Sequence, residues 1–432
     1  MSLPQTIPTG DPAAAALPSG RTSDPTVASL LQDISTIGTD TFRGGYSRPV
    51  FSTAETDLRG WFVEQAGRRC LDVHTDQNGI IWAWWDTAAR TRKDAVVTGS
   101  HLDSVPGGGG YDGPLGVASA LIAVDILKAR GLRPRRPLAI AVFPEEEGSR
   151  FGVACLGSRL LTGSLDPDKA RRLKDPEGNT YAGVAAANGQ DPRLIGADYA
   201  TLQQLGVFVE LHVEQGRGLA DLDQPVAIGS SILGHGRWKL SISGQGNHAG
   251  TTLMRDRRDP MVAAAKIMVS IRDTARKYRD ARATVGRVQP VPGGTNVIAS
   301  RVDLWIDARH PDDSVTAALV EAIGLNAQVF AAEEGCTAAM TMESLSPTVH
   351  FDGGLRSRLQ ELLPAAPVLA TGAGHDAGVL GPHLPTAMIF VRNPTGISHS
   401  PEELVEDWDA EAGALALADS LAGLAGDTRA PR

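Results

Sequence analysis

Gly99-Ser100-His101-Leu102-Asp103-Ser104-Val105-Pro106, followed by Tyr111-Asp112-Gly113, decides how the rest of the chain is read. Before it, Ala95-Val96-Val97-Thr98 is short, apolar and β-branched, the signature of a buried strand. After it, Leu115, Ala118, Leu121, Ile122 and Ile126 recur at helical spacing, with Pro114 at the start and Gly131 just past the end. A His and two Asp therefore sit in the loop after a parallel-type strand, where open α/β sheets bind their ligands. Imidazole and carboxylate together suit a zinc-like ion. Asp103 is placed to accept the second ring N–H of His101 and fix its tautomer. Taken alone, an HxD loop is also an ordinary solvated turn. Gly108, Gly110 and Gly113 spell the dinucleotide fingerprint G-x-G-x-x-G. Asp112 inside that run argues against it, because a pyrophosphate site at a helix N-terminus should not be lined by carboxylate.

The 432 residues suffice for two domains with sizeable cores. A net charge of −9 is spread along the chain, and no basic cluster points to nucleic acid or an anionic membrane. Cys70, Cys155 and Cys336 are scattered and form no CxxC, which fits a reducing compartment. No apolar run approaches about 18 residues, so no membrane span is expected. Residues 1–25 are rich in Pro, Ala, Ser and Thr and lack the basic and apolar parts of a signal peptide. They read as a flexible tail, and the expected location is the cytoplasm.

Farther along, Thr26 and Thr53 are expected to cap helices. Strands are expected at 72–75, 80–85 and 138–143, the last running into Glu145-Glu146-Glu147. Like charges raise one another's pKa. Such a triplet is a solvated acidic turn or, beside a metal loop, a ligand next to a base. The strand around Val207–Val213 carries His212 near its end, as a core histidine or a ligand. Residues 231–343 read β-α-β-β-α-β, a ferredoxin-like order. They are expected to form a domain inserted into a first domain of 26–230 and 344–432. The remainder returns to α/β alternation and carries His375 in 372–376 and His399 in 396–403. His101, Asp112, Glu147, His212 and His399 thus all fall at or just after strand ends. Three His and two carboxylates suffice for two divalent ions sharing a bridging carboxylate.

The motifs GSHLDSV, YDGPLGV, EEEGSRFG, VELHVEQG, NHAGTT, TNVI, DARH, GAGHD and GISHSPEE run in order from about residue 43 to 405. Together they resemble the M20 metallopeptidase-like amidohydrolases. The nearest branch is that of N-carbamoyl-L-amino acid hydrolases, allantoate amidohydrolases and β-ureidopropionases. The resemblance implies an α/β fold: a mixed-sheet, metallopeptidase-like catalytic domain with the ferredoxin-like α+β insert as lid and dimerisation surface of a homodimer. It implies that Asp112 bridges two ions, that Glu147 and His399 complete one site, and that His101 and His212 complete the other. Glu146 resembles the general base and Asp103 the carboxylate that orients His101. His248 would reach a neighbouring subunit's active site and stabilise an oxyanion. Asn296 and Arg309 resemble the residues that bind the substrate carboxylate, with Gln215 near the ureido group.

An Arg can grip a carboxylate bidentately, although Arg309 could equally be a plain surface residue. Zinc or manganese is expected, with cobalt or nickel as alternatives. The implied reaction is hydrolysis of the ureido C–N bond of a ureido acid. Two other readings are an aminoacylase or dipeptidase of the same superfamily and a non-catalytic binding protein. His212, where many peptidases carry a carboxylate, argues against the first, and the intact ligands and base argue against the second. Two departures stand out: Leu253 replaces the usual Pro, and the Gly107–Gly110 run is expected to leave the metal loop more mobile.

Overall fold

The computed structural model describes residues 25–89 and 91–429. The tail expected over 1–25 lies outside the described residues except for Pro25. The chain opens with α1 (Val27–Asp33), α2 (Thr53–Arg68), β1 (Asp72–Thr75), β2 (Ile81–Trp85), β3 (Ala95–His101), α3 (Pro114–Ala129) and β4 (Leu138–Phe143). Short helices α4 (Leu156–Thr162), α5 (Pro167–Arg172), α6 (Tyr181–Ala187) and α7 (Tyr199–Leu202) lead to β5 (Leu205–Val213), α8 (Gly218–Leu222) and β6 (Val226–Ile232). Thr26 caps α1 as expected. Ser52, not Thr53, caps α2: Ser52 keeps an extended backbone and its hydroxyl accepts the Glu55 N–H, while Thr53 is already helical.

After β6 the chain leaves the first sheet. It forms β7 (Gly234–Ser243), β8 (Asn247–His248), α9 (Pro260–Ala275), β9 (Arg282–Val291), β10 (Val297–Ile298), β11 (Arg301–His310), α10 (Asp313–Glu333) and β12 (Thr337–Ser346). It then returns through β13 (Val349–His350), α11 (Gly353–Leu362), β14 (Val368–Thr371), α12 (Asp376–Leu380), β15 (Thr386–Val391) and α13 (Asp407–Ala425).

The large sheet has the order β1-β2-β4-β3-β5-β15-β6-β13, with β14 beside β6. Its centre, β4-β3-β5-β15, consists of four neighbouring parallel strands. β2 and β6 flank them in antiparallel pairing, so the sheet is mixed. The central strands are apolar on both faces because both faces are covered. Helices α1, α2, α3, α11 and α13 cover one face, and α4, α8 and α12 cover the other. The smaller sheet runs β12-β7-β11-β9, antiparallel throughout, with a core shared with α9 and α10. This is the ferredoxin-like arrangement that the element order predicts. Among the described residues α10 is the one helix long and apolar enough to cross a membrane by length and composition, a property it shares with core helices of globular domains, and the expectation of no membrane span stands. Its apolar character comes from alanines as much as from large side chains. Its buried residues, among them Leu319, Ile323, Ala327 and Ala331, belong to the core of the smaller sheet.

Close packing of α3 on the sheet sets the position of the loop before it. Gly116 allows that approach, since a β-carbon there would overlap the Leu211 carbonyl oxygen and crowd Ser100. Replacing Gly116 with Ala is expected to destabilise the fold by about 1–3 kcal/mol through overpacking. The check is a lower urea midpoint with an unchanged m-value; an unchanged midpoint would show that the helix can shift freely.

Candidate metal centre

The carboxyl ends of the four parallel strands share one edge, and the candidate donors collect there. His101 is the last residue of β3, and His212 is the penultimate residue of β5. β4 ends one residue before the turn that carries Glu146 and Glu147, and β15 leads to the loop holding His399. Asp112 lies just ahead of α3. Gly113, which follows it, has φ 86°, and a β-carbon there would come within 2.6 Å of the His101 ring. Only glycine permits that conformation beside the imidazole.

Asp112 turns its two oxygens to different groups. Its Oδ1 lies 3.4 Å from His101 Nε2 and 3.3 Å from His212 Nε2, and the two Nε2 atoms are 3.4 Å apart. Its Oδ2 lies 3.4 Å from His399 Nε2, which is 3.4 Å from Glu147 Oε2. The two sets, His101-Asp112-His212 and Asp112-Glu147-His399, each could hold a metal ion. Ligands about 2.0–2.1 Å from a tetrahedral zinc stand about 3.3–3.4 Å apart, so the donor spacing fits such an ion.

Tautomers sharpen the fit. His101 Nδ1 is 3.0 Å from the Asp103 carbonyl oxygen and His212 Nδ1 is 2.9 Å from that of Val213. Those contacts require N–H at Nδ1, so each neutral ring turns a lone pair inward from Nε2. Two lone pairs and a carboxylate oxygen, all buried, then face one another. A cation satisfies them, and without one only a proton can.

Asp103 does not act as the sequence suggests. Its backbone carbonyl, not its carboxylate, receives the His101 N–H; the nearer carboxylate oxygen is 3.7 Å away. The carboxylate instead accepts the backbone N–H groups of Glu146 at 3.2 Å and Glu147 at 3.1 Å. It therefore fixes the acidic turn that the sequence leaves undefined. Glu145 points away, its Oε1 accepting the Arg150 and Phe151 N–H groups at 3.1 and 2.5 Å. Glu146 is buried with Oε2 3.7 Å from His101 Nε2.

Burial is the first cause of the local pKa pattern, and charge the second. Burial, with Asp103 nearby, pushes the Glu145 carboxyl up to about 8. Burial and Asp112 do the same to Glu147, to about 8. Burial, opposed by His101 and reinforced by Asp376 and Glu147, holds Glu146 well above the usual range. For His101 burial works against charging, but Glu146 and Asp112 outweigh it and raise the ring's pKa. For Asp112 burial is outweighed by the two imidazoles, which hold its carboxyl well below the usual range.

Residues 97–422 match the model of peptidase family M20/M25/M40. The chain belongs to this family. It is 35% identical to an N-carbamoyl-L-amino acid amidohydrolase of Geobacillus stearothermophilus, over 87% of this chain and 92% of that one. It is 31% identical to an allantoate amidohydrolase of Escherichia coli K12, over 92% and 97% of the two chains. A solved amidase of the hydantoinase/carbamoylase family from Burkholderia multivorans superposes with a TM-score of 0.82 at 29% identity, covering 92% of this chain and 97% of that one.

Within this M20 chain, the remaining predicted site residues lie at varied positions. Gln215 sits on the donor cluster, its amide nitrogen 2.7 Å from Asp112 Oδ2 and 3.1 Å from Ser398 Oγ. Its amide oxygen is buried and has no partner. Arg309, on β11, grips Asp307 through Nε and Nη2 at 2.6 and 2.9 Å and donates from Nη1 to the Gly372 carbonyl oxygen at 2.5 Å. It is no plain surface residue, since it ties the smaller sheet to the loop before α12. His248 ends β8, and Asn296 lies in the turn just before its partner strand β10; both are exposed. Among the described residues no hydrogen bond or ion pair joins either to the donor cluster.

Two residues escaped the sequence reading. His375 is buried with both ring nitrogens unpartnered and its ring centroid 4.4 Å from that of His212. GAGHD was the available signal. Glu403 reaches the Asp112 loop, signalled only by GISHSPEE. The Gly107–Gly110 run is also held rather than loose: Gly108 exchanges two 2.9 Å backbone hydrogen bonds with Tyr46, and Gly109 packs under Glu403. Glycine serves close approach here, not mobility.

Stability of the metal-free protein should depend on pH. The carboxyls of Glu145, Glu147 and Asp376 rise to about 8 from ordinary values of 4.5 and 3.8. Between those limits the folded chain holds more protons than the unfolded one, so stability falls as pH rises. The raised pKa values of His101 and His212 act in the same direction, while the lowered Asp112 acts only below 3.8. Chelator-treated protein is expected to melt lower at about pH 8.5 than at about pH 6, and added zinc to narrow the gap. A melting temperature that is flat or rising across that interval would contradict the electrostatic account.

Proposed function

We propose that the chain is a binuclear-metal amidohydrolase that cleaves the ureido C–N bond of ureido acids, such as N-carbamoyl-L-amino acids or allantoate, releasing ammonia and carbon dioxide. The observation that carries this reading is Asp112 turning one oxygen to each of two donor sets, with Glu146 alongside. The named activities of the relatives narrow the substrate to ureido acids. His101, Asp112 and His212 would hold one divalent ion, and Asp112, Glu147 and His399 the other. Histidine and carboxylate together admit zinc or manganese, and also cobalt or nickel. Such a pair, when bound, supplies Lewis acidity that polarises a carbonyl oxygen and lowers the pKa of water. A ureido carbonyl needs that help because two nitrogens donate into it.

The chain's own groups do the rest. Glu146 takes a proton from the attacking water and passes it to the leaving nitrogen. Gln215 spends its amide N–H groups on Asp112 and Ser398, which leaves its unpartnered oxygen to accept N–H from the ureido group. Arg309 keeps free N–H groups on both terminal nitrogens beyond its bonds to Asp307 and Gly372, and these with Asn296 receive the substrate carboxylate. His248 Nδ1 accepts the Gly250 N–H at 3.1 Å, so Nε2 carries the proton and donates to the oxyanion. Its exposure suits service to the partner subunit's site, in a homodimer formed through the smaller sheet, which would act as lid. The three unpaired cysteines fit a reducing compartment, and we place the enzyme in the cytoplasm.

Metal-loaded protein is expected to release ammonia from allantoate or N-carbamoyl-L-amino acids and to stop when chelated. Glu146→Gln should lower kcat by about 10²–10⁴-fold while metal uptake persists. Cleavage of acyl amino acids or dipeptides alone would overturn the ureido reading. Full activity of the Gln variant would remove Glu146 as the base.

A further inference from the structure

Glu403 is almost wholly buried, yet no step above uses it. It comes from the loop after β15 and crosses to the loop before α3. Its Oε1 accepts the backbone N–H of Tyr111 at 3.1 Å and of Asp112 at 3.0 Å. Its Oε2 accepts the Ser398 hydroxyl at 3.2 Å, and that same hydroxyl lies 3.4 Å from Asp112 Oδ2. One carboxylate therefore holds the backbone of Asp112 on one side and, through Ser398, the residue before His399 on the other. The two N–H groups that Glu403 accepts belong to the residues just ahead of Gly113, the N-cap of α3. Gly109 leaves room for this crossing, because a β-carbon there would overlap Glu403 Oε1 and Cδ.

Burying a second carboxylate beside Asp112 is unfavourable on its own. What it secures is geometry. Asp112 must aim two oxygens at two donor sets, and a small rotation of its backbone misaligns both. We propose that Glu403 is the positioning residue that fixes Asp112 between the two donor sets and locks the His399 loop to it. The inference rests on the metal pair proposed above.

The test compares wild type, Glu403→Ala, Glu403→Gln and Gly109→Ala. Zinc is titrated against a chromophoric chelator, and the metal-free melting temperature is measured in parallel. Wild type should bind two ions. The Ala variant at 403 should lose about 10–100-fold in zinc affinity, the usual cost of removing a partner that orients a ligand. The Gln variant retains an amide oxygen for both N–H groups and should stay within a few-fold of wild type. Gly109→Ala displaces the carboxylate with a methyl group and should match Glu403→Ala, which covers the case in which the latter fails to fold. Wild-type zinc affinity in Glu403→Ala or in Gly109→Ala, with only the metal-free melting temperature lowered, would reduce Glu403 to a structural staple and overturn the proposal. Equal losses in the Gln and Ala variants at 403 would also overturn it, assigning the effect to charge. Failure of the metal pair itself looks different: wild type would then take up fewer than two ions.

Discussion

Three buried acceptors face one another at the end of the parallel strands: His101 Nε2, His212 Nε2 and Asp112 Oδ1, all within 3.4 Å. Each imidazole is committed through Nδ1 to a backbone carbonyl, so neither can turn its N–H inward to relieve the crowding. Much of the surrounding structure serves this arrangement. β3 and β5 are adjacent and parallel, which brings His101 and His212 side by side. The φ of Gly113 and the absence of its side chain let Asp112 come up against the first ring. The Asp103 carboxylate holds the backbone of the acidic turn so that Glu146 and Glu147 flank the cluster while Glu145 is folded away.

The smaller sheet reaches this centre through a polar latch, Arg309 to the Gly372 carbonyl, at the start of the loop that carries His375 against His212. The Arg309 guanidinium is held in place by its fork onto Asp307.

The centre of the fold was legible because its signals are local. The β-branched run 95–98, the helical spacing after Pro114 and the buried run 138–143 specify strand, helix and strand by periodicity and punctuation alone. Donor residues at strand ends followed from those assignments, and the order of the smaller sheet from the β-α-β-β-α-β pattern of residues 231–343. What could not be read depends on partners far apart in sequence or on torsions. The glycine run 107–110 suggests freedom until Glu403, 291 residues beyond Asp112, is seen lying across it. Whether the Asp103 carbonyl or carboxylate faces His101 depends on backbone direction, not on composition. His375 carried a motif but no spacing that could place it against His212.

The most direct test of the account is anomalous diffraction from crystals of the zinc-loaded protein. Two zinc peaks are expected, one among His101, Asp112 and His212 and the other among Asp112, Glu147 and His399, with Asp112 contributing one oxygen to each. A single peak, or two peaks that do not share Asp112, would contradict it.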